Sequence, residues 1–131
     1  NDRKQVWQQI ENVLRNPVIR RFVLREDMKL EKKAGISALC EYSLLSDNVY
    51  PTYAVTKKEL KDSAVKVEKQ VSELEEIGCI VLELGYFIDF SGKGLQDPLS
   101  VVLSLTGEEQ EEDRVDISIN EMLEEYVWSK D

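Results

Sequence analysis

The 131 residues contain no histidine, and that absence removes a good deal of chemistry. Ser-His-Asp and Cys-His nucleophiles, HExxH zinc sites and imidazole pH switches all need the ring. Cysteine is scarce as well, with Cys40 and Cys79 alone. Two thiols without histidine make no structural zinc site. Both stand in apolar context, Leu39-Cys40 and Cys79-Ile80-Val81, and read as small buried hydrophobes in a reducing compartment. Three prolines and six glycines form no tract that would mark a linker. No apolar run approaches the roughly 18 residues a membrane helix needs, so no span is expected. The chain opens Asn1-Asp2-Arg3, without methionine or an apolar signal segment, and reads as a trimmed or partial chain.

What is present suits a folded protein. Hydrophobic residues make up 42% and charged residues 33%, which argues against disorder. A chain this long buries a core without disulfides or metals, so one domain is the default. The net charge is −9, from 17 basic and 26 acidic side chains, and it is unevenly spread. Residues 1–39 hold nine basic and five acidic groups, a balance of +4. Residues 40–78 balance at −3, and residues 79–131, with three basic and thirteen acidic groups, at −10. A chain polarised in this way can orient on a charged partner.

Periodicity predicts an amphipathic helix over residues 3–15, with Val6, Trp7, Ile10, Val13 and Leu14 at helical spacing. Asn16-Pro17 stops it. Residues 18–30 suit either a helix through Val18, Ile19, Phe22 and Val23 or a short strand at Phe22-Val23-Leu24. A second helix is expected from Leu30 to Leu45, burying Ile36, Leu39, Cys40 and Leu44 or Leu45. Between Tyr50 and Gly78, the apolar residues Leu60, Ala64, Val67, Val71 and Leu74 recur in steps of four and three. One explanation is a single helix packing as a coiled-coil seam. The other is two helices with a tight turn near Lys61-Asp62-Ser63, Ser63 capping the second. Gly78 ends the segment in either case.

A β-ribbon is expected next. Cys79 to Phe90 is rich in β-formers, Ser91-Gly92-Lys93-Gly94 supplies a turn, and Asp97-Pro98 closes it. Leu99, Val101, Leu103 and Leu105 alternate as a returning strand. The run Glu108 to Asp113 reads as a solvated loop, and Val115, Ile117 and Ile119 as a short strand. Asn120 then caps a final helix with Met122, Leu123, Tyr126 and Val127 on its apolar face.

This order resembles the winged helix-turn-helix superfamily over residues 42–105. The carrying residues are Tyr50-Pro51-Thr52, Leu60, Ser63, Val67 and Val71, followed by Leu74-Glu75-Glu76-Ile77-Gly78-Cys79-Ile80. That last stretch looks like the LEExGxI ending of many recognition helices. Leu103-Ser104-Leu105-Thr106 is similar to the last wing strand of MarR-like regulators. Asp47 to Thr52 is similar to helix-turn-helix domains of phage and plasmid replication initiators. The chain departs from the family at Thr56-Lys57, where a leucine-alanine pair is usual. The implied class is α+β, mainly α, a single domain over 1–131. It comprises an N-terminal helical extension (1–30), a winged-helix core (31–106) with its wing at 79–105, and residues 107–131 as acidic loop, strand and helix. A bacterial, archaeal or viral source suits the resemblance.

Family behaviour implies that the third helix enters a major groove of double-stranded DNA while the wing touches the backbone. The DNA-facing candidates are then Lys57, Lys58, Lys61, Ser63, Lys66, Lys69, Gln70 and, at the wing tip, Lys93. Lysines serve phosphates, whereas base reading prefers arginine, asparagine and glutamine. The third helix has no arginine, and Glu68 and Glu73 lie among its lysines. The implied role is transcription regulation or replication initiation, in the cytoplasm, nucleoid or nucleus. The alternative is a winged-helix protein-interaction module or homodimer, with Trp7, Ile10, Leu14, Met122, Leu123, Tyr126 and Val127 as its interface.

Catalytic patterns fail on inspection. Ser63-Ala64-Val65-Lys66 matches a bare S-x-x-K but lacks its companion motifs. Ser91-Gly92-Lys93-Gly94 has Phe87 where a phosphate loop needs its first glycine, and no Ser or Thr after the lysine. Residues 108–113 lack the spaced ligands and central glycine of a calcium loop. No enzyme activity, cofactor or metal is expected.

Overall fold

A single strand, Cys79–Leu84, is buried along its whole length, and the rest of the fold is arranged about it. The structure is a computed structural model that describes residues 16–45, 50–62 and 77–128. Its elements run β1 (Val18–Leu24), α1 (Gly35–Tyr42), β2 (Thr52–Thr56), α2 (Lys57–Asp62), β3 (Cys79–Leu84), α3 (Pro98–Ser104), α4 (Gly107–Glu111) and α5 (Asp113–Tyr126). The class is α+β, with a three-stranded sheet of order β1-β3-β2.

β3 pairs antiparallel with β1, from Val18 opposite Leu84 to Leu24 opposite Cys79. It pairs parallel with β2, Thr52 opposite Ile80 through Thr56 opposite Leu84. A central strand covered on both faces has no use for polar alternation, which explains the run Cys-Ile-Val-Leu. Its one charge, Glu83, is 2% exposed and joined to Arg20 of β1. The Gly78 N–H donates to Leu24 O at one end of the antiparallel pair, and the Gly85 N–H donates to Pro17 O at the other. Gly78 also lies so close to the Arg25–Glu26 backbone that a Cβ there would overlap the Arg25 carbonyl oxygen.

Three apolar clusters result. Phe22, Leu24, Tyr53, Val55, Cys79 and Val81 fill one face of the sheet. Ala34, Ala54, Ile80, Leu82 and Leu84 fill the other. A helical core joins Ile36, Leu39 and Tyr42 of α1, Val101 of α3, Leu105, and Val115, Ile119, Met122 and Leu123 of α5.

Local chemistry sets the helix starts. Thr56 and Glu59 form a reciprocal cap: Thr56 Oγ1 accepts the Glu59 N–H, and Glu59 Oε1 accepts the Thr56 N–H. Thr106 and Glu109 do the same for α4. Asp97 Oδ2 accepts the Ser100 N–H at the head of α3, with Pro98 just inside the first turn. α1 has no side-chain cap from its neighbours. Instead the buried Gln96 Oε1 accepts the Gly35 N–H at 3.1 Å.

Several expectations are corrected. The helical extension over 1–30 does not hold at 18–24, which is strand β1; its β-branched residues pair with β3 and bury Phe22 and Leu24. The expected helix from Leu30 to Leu45 is confined to Gly35–Tyr42. Tyr50-Pro51-Thr52 leads into a strand rather than a helix, and helix begins only at the Thr56 cap. The ribbon over 79–105 is not a wing: β3 pairs inside the sheet, and Leu99, Val101 and Leu103 lie on helix α3. There the Asp97 cap and Pro98 outweigh the alternation, and helical spacing buries Val101 and Leu105 together. The acidic run is the capped helix α4 and the start of α5, and Val115, Ile117, Ile119 and Asn120 all lie within α5. "Mainly α" understates the sheet. Residues 63–76, and with them the choice between one long helix and a helix-turn-helix, lie outside the described residues.

Candidate functional site

Two surfaces are chemically distinctive. The first is basic. Lys57, Lys58 and Lys61 are exposed on α2, the short helix that leaves the end of edge strand β2. Lys93 is exposed in the loop after β3. The segment 29–34, bridged at Lys32–Ala34, brings these regions together. The Lys33 N–H donates to Gly94 O, and the Gln96 N–H donates to Lys33 O. On its other side the Ala54 N–H donates to Lys32 O, and the Ala34 N–H donates to Thr52 O. This strap therefore lies between β2 and the Lys93 loop, and it carries Lys29, Lys32 and Lys33.

Its charges are partly engaged. Lys32 Nζ donates to Glu59 Oε1 at 2.7 Å and stands 5.2 Å from the Phe87 ring centre. Burial pulls the Glu59 carboxyl upward, but the Lys32 ammonium and the Thr56 backbone and hydroxyl bonds outweigh it, leaving the group below its ordinary value. Lys33 Nζ donates to Glu41 Oε1 at 2.8 Å. The Lys93 loop is folded around Asp89, whose carboxylate accepts the N–H groups of Gly92, Gly94 and Leu95. Desolvation pulls its carboxyl upward, but the backbone bonds together outweigh it and hold the group below its ordinary value. Gly94, at φ +84°, approaches the Glu31 carbonyl too closely for any side chain.

The second surface is a groove of about 670 Å³ between the C-terminal ends of α1 and α5. Glu41, Tyr42, Ser43 and Leu44 line one side, and Glu121, Glu124, Glu125 and Tyr126 the other. Tyr42 and Tyr126 meet edge to face with ring centres 5.0 Å apart, and Phe90 stands against both at 5.9 and 6.1 Å. Burial, aided by the charges of Asp97 and the neighbouring Tyr126 and Asp89, pushes the Tyr42 phenol well above its ordinary value.

The sequence-based candidates divide. Lys57, Lys58, Lys61 and Lys93 are exposed and linked through the strap; Ser63, Lys66, Lys69 and Gln70 lie outside the described residues. Of the interface candidates, Met122 and Leu123 are not surface residues: they close the helical core against α1 and α3. Tyr126 lines the groove, and Val127 packs against the helical core nearby. Trp7, Ile10 and Leu14 lie outside the described residues. The sequence does not single out Lys29, Lys32 and Lys33, because helical periodicity from Leu30 reads the strap as the start of a helix. Nor does it mark the groove, whose two sides lie some eighty residues apart in the chain. The cluster Lys29-Leu30-Glu31-Lys32-Lys33 was the available signal for the strap.

Among the described residues no group of three Cys, Asp or Glu side chains could hold a metal ion. No described helix is long and apolar enough to cross a membrane. No protein-family model, curated protein or solved structure matches the chain.

Proposed function

We propose that the chain binds the phosphate backbone of double-stranded DNA through the lysines of α2, the strap and the Lys93 loop. The observation that carries this reading is the lysine-bearing strap, which bonds to β2 just before α2 on one side and to the Lys93 loop on the other. Lysines suit backbone contact more than base reading. The reading is a sequence-tolerant DNA-binding role in transcription regulation or replication initiation, in the cytoplasm, nucleoid or nucleus. Its winged-helix part lacks a wing, and the third helix that it would need falls outside the described residues. Fluorescence anisotropy with a labelled duplex tests the reading: micromolar binding at about 50 mM salt that weakens steeply by about 200 mM supports it. Absence of binding at low salt overturns it.

The alternative, a protein-interaction or dimer module, keeps one specific support. The aromatic groove beside Tyr126 survives as an exposed surface after Met122 and Leu123 are assigned to the core.

A further inference from the structure

We propose that the groove between the ends of α1 and α5 docks a basic peptide segment of a partner protein, one presenting an arginine or lysine beside an apolar residue. This is independent of DNA binding, which uses different residues of opposite charge.

The apolar half of the argument is exposure. Leu44 is 92% exposed at one rim and Tyr126 40% at the other, and Phe90, packed against Tyr126, is 49% exposed. An exposed leucine beside three mutually packed rings is an unusual concentration of apolar surface on so charged a chain. Tyr42 forms the floor and is fixed there by donating its O–H to the Gln96 carbonyl at 2.6 Å. The ring edges are therefore preorganised, and a partner gains contact without ordering them first.

The charge half decides the occupant. Glu41, Glu121, Glu124 and Glu125 surround the rings. Both helices end at this place, α1 at Tyr42 and α5 at Tyr126, and neither carries a basic residue in its last turn. Helix C-termini carry partial negative charge and ordinarily attract a lysine or arginine. Here the carboxylates add to that charge rather than offset it. Lys33 pairs with the rim carboxylate Glu41 through an exposed contact that solvent already weakens. A guanidinium or ammonium entering the groove meets ring faces, carboxylates and two helix ends together. A neighbouring apolar side chain of the same segment covers Leu44. Phosphate-bearing ligands are repelled by the same charges. An open groove of this size suits a peptide side chain or two rather than an enclosed small molecule.

The test uses the full chain and a fluorescein-labelled 12-residue peptide of alternating arginine and leucine, with the arginine-to-glutamate peptide as control. Binding in the micromolar range by anisotropy, absent for the control, is expected. Glu121→Lys with Glu125→Lys weakens it by about tenfold or more, and Leu44→Asp by about fivefold, at unchanged circular dichroism. Light scattering runs alongside. No binding at about 100 μM protein overturns the proposal, as does binding that these substitutions leave unchanged. A chain that self-associates and becomes monomeric on Leu44→Asp also overturns it, since the groove would then be covered by a second copy.

Discussion

The Tyr42 hydroxyl donates to the main-chain carbonyl of Gln96 at 2.6 Å, while the side chain of the same Gln96 accepts the N–H of Gly35 at 3.1 Å. One buried residue from the loop before α3 thus holds both ends of α1. Its amide nitrogen donates onward to Ser104 Oγ, which in turn donates to Ser100 O. The network ties α1 to α3 beneath the groove, and no member of it is adjacent in sequence to α1.

Gln96→Leu therefore strands the Gly35 N–H and removes a partner of Ser104, in a site with little access to water. A loss of about 2–4 kcal/mol is expected in urea denaturation. Tyr42→Phe removes one donor and leaves a carbonyl with a second lone pair, so its loss is smaller, about 1–2 kcal/mol. Equal losses would contradict the central role of the glutamine.

Alkaline titration gives a separate check on Tyr42. Its phenol stays protonated in the folded chain above the ordinary value of 10.0, whereas the unfolded chain ionises there. The folded state then holds more protons, so stability is fully present below pH 10 and falls as pH rises beyond it. Tyr42→Phe flattens that alkaline decline relative to the parent chain.

Acid works through carboxyls of the opposite kind. The Tyr53 hydroxyl and the Lys29 N–H bond Asp27 and hold it below its ordinary value, and Glu59 is held low by Lys32 and Thr56. Each contributes stability that is present above the unfolded values of 3.8 and 4.5 and lost as pH falls through the lower folded ones. Asp27→Asn and Glu59→Gln should each flatten the thermal-melt curve below about pH 4.5.

Arg20 and Glu83 form an unequal pair: the carboxylate is 2% exposed and the arginine side chain 57%. The Arg20 Nε–Glu83 Oε1 separation is 2.7 Å, and the guanidinium also stands 5.4 Å from the Phe22 ring centre. Arg20→Leu leaves a buried carboxylate without its cation and should cost about 2–3 kcal/mol. Arg20→Leu combined with Glu83→Leu should cost less than Arg20→Leu alone. A double variant worse than the single would mean that the pair itself, not the orphaned charge, holds β1 to β3.

For DNA, Lys57→Glu, Lys58→Glu and Lys61→Glu together should abolish binding at low salt. Replacing the three by Gln should reduce the slope of log K against log salt by about 2–3. Lys29→Gln with Lys93→Gln should weaken binding to a lesser degree, if the strap and the loop share the surface. An unchanged slope in both variants would move the binding surface elsewhere.

The local signals fared unevenly, for physical reasons. Helix at Gly35–Tyr42 was legible within the longer Leu30–Leu45 expectation, where Ile36 and Leu39 are buried as expected, but Leu44 is exposed. β3 was legible as a strand because a run buried on both faces has few other uses. Its partners were not. The sequence offers Leu99 to Leu105 as a nearby alternating strand, but an Asp97 cap costs little and redirects that segment into helix. β1, from more than fifty residues upstream, takes the place beside β3 instead. Of the site, the exposed lysines of α2 were legible because charged residues seldom bury. Met122 and Leu123 were misassigned because an apolar helix face looks the same whether a partner protein or α1 covers it.

The sequence by itself determined which reactive side chains are present: no histidine, and two cysteines in apolar context. It also determined the polarity of charge along the chain. Only the tertiary structure decided where those charges meet. Strand pairing and helix packing join residues by burial and hydrogen bonding, irrespective of their separation in sequence. That is why the strap sets Lys32 beside α2 and Lys33 beside the Lys93 loop, and why Tyr42, Phe90 and Tyr126 come together at one acidic groove.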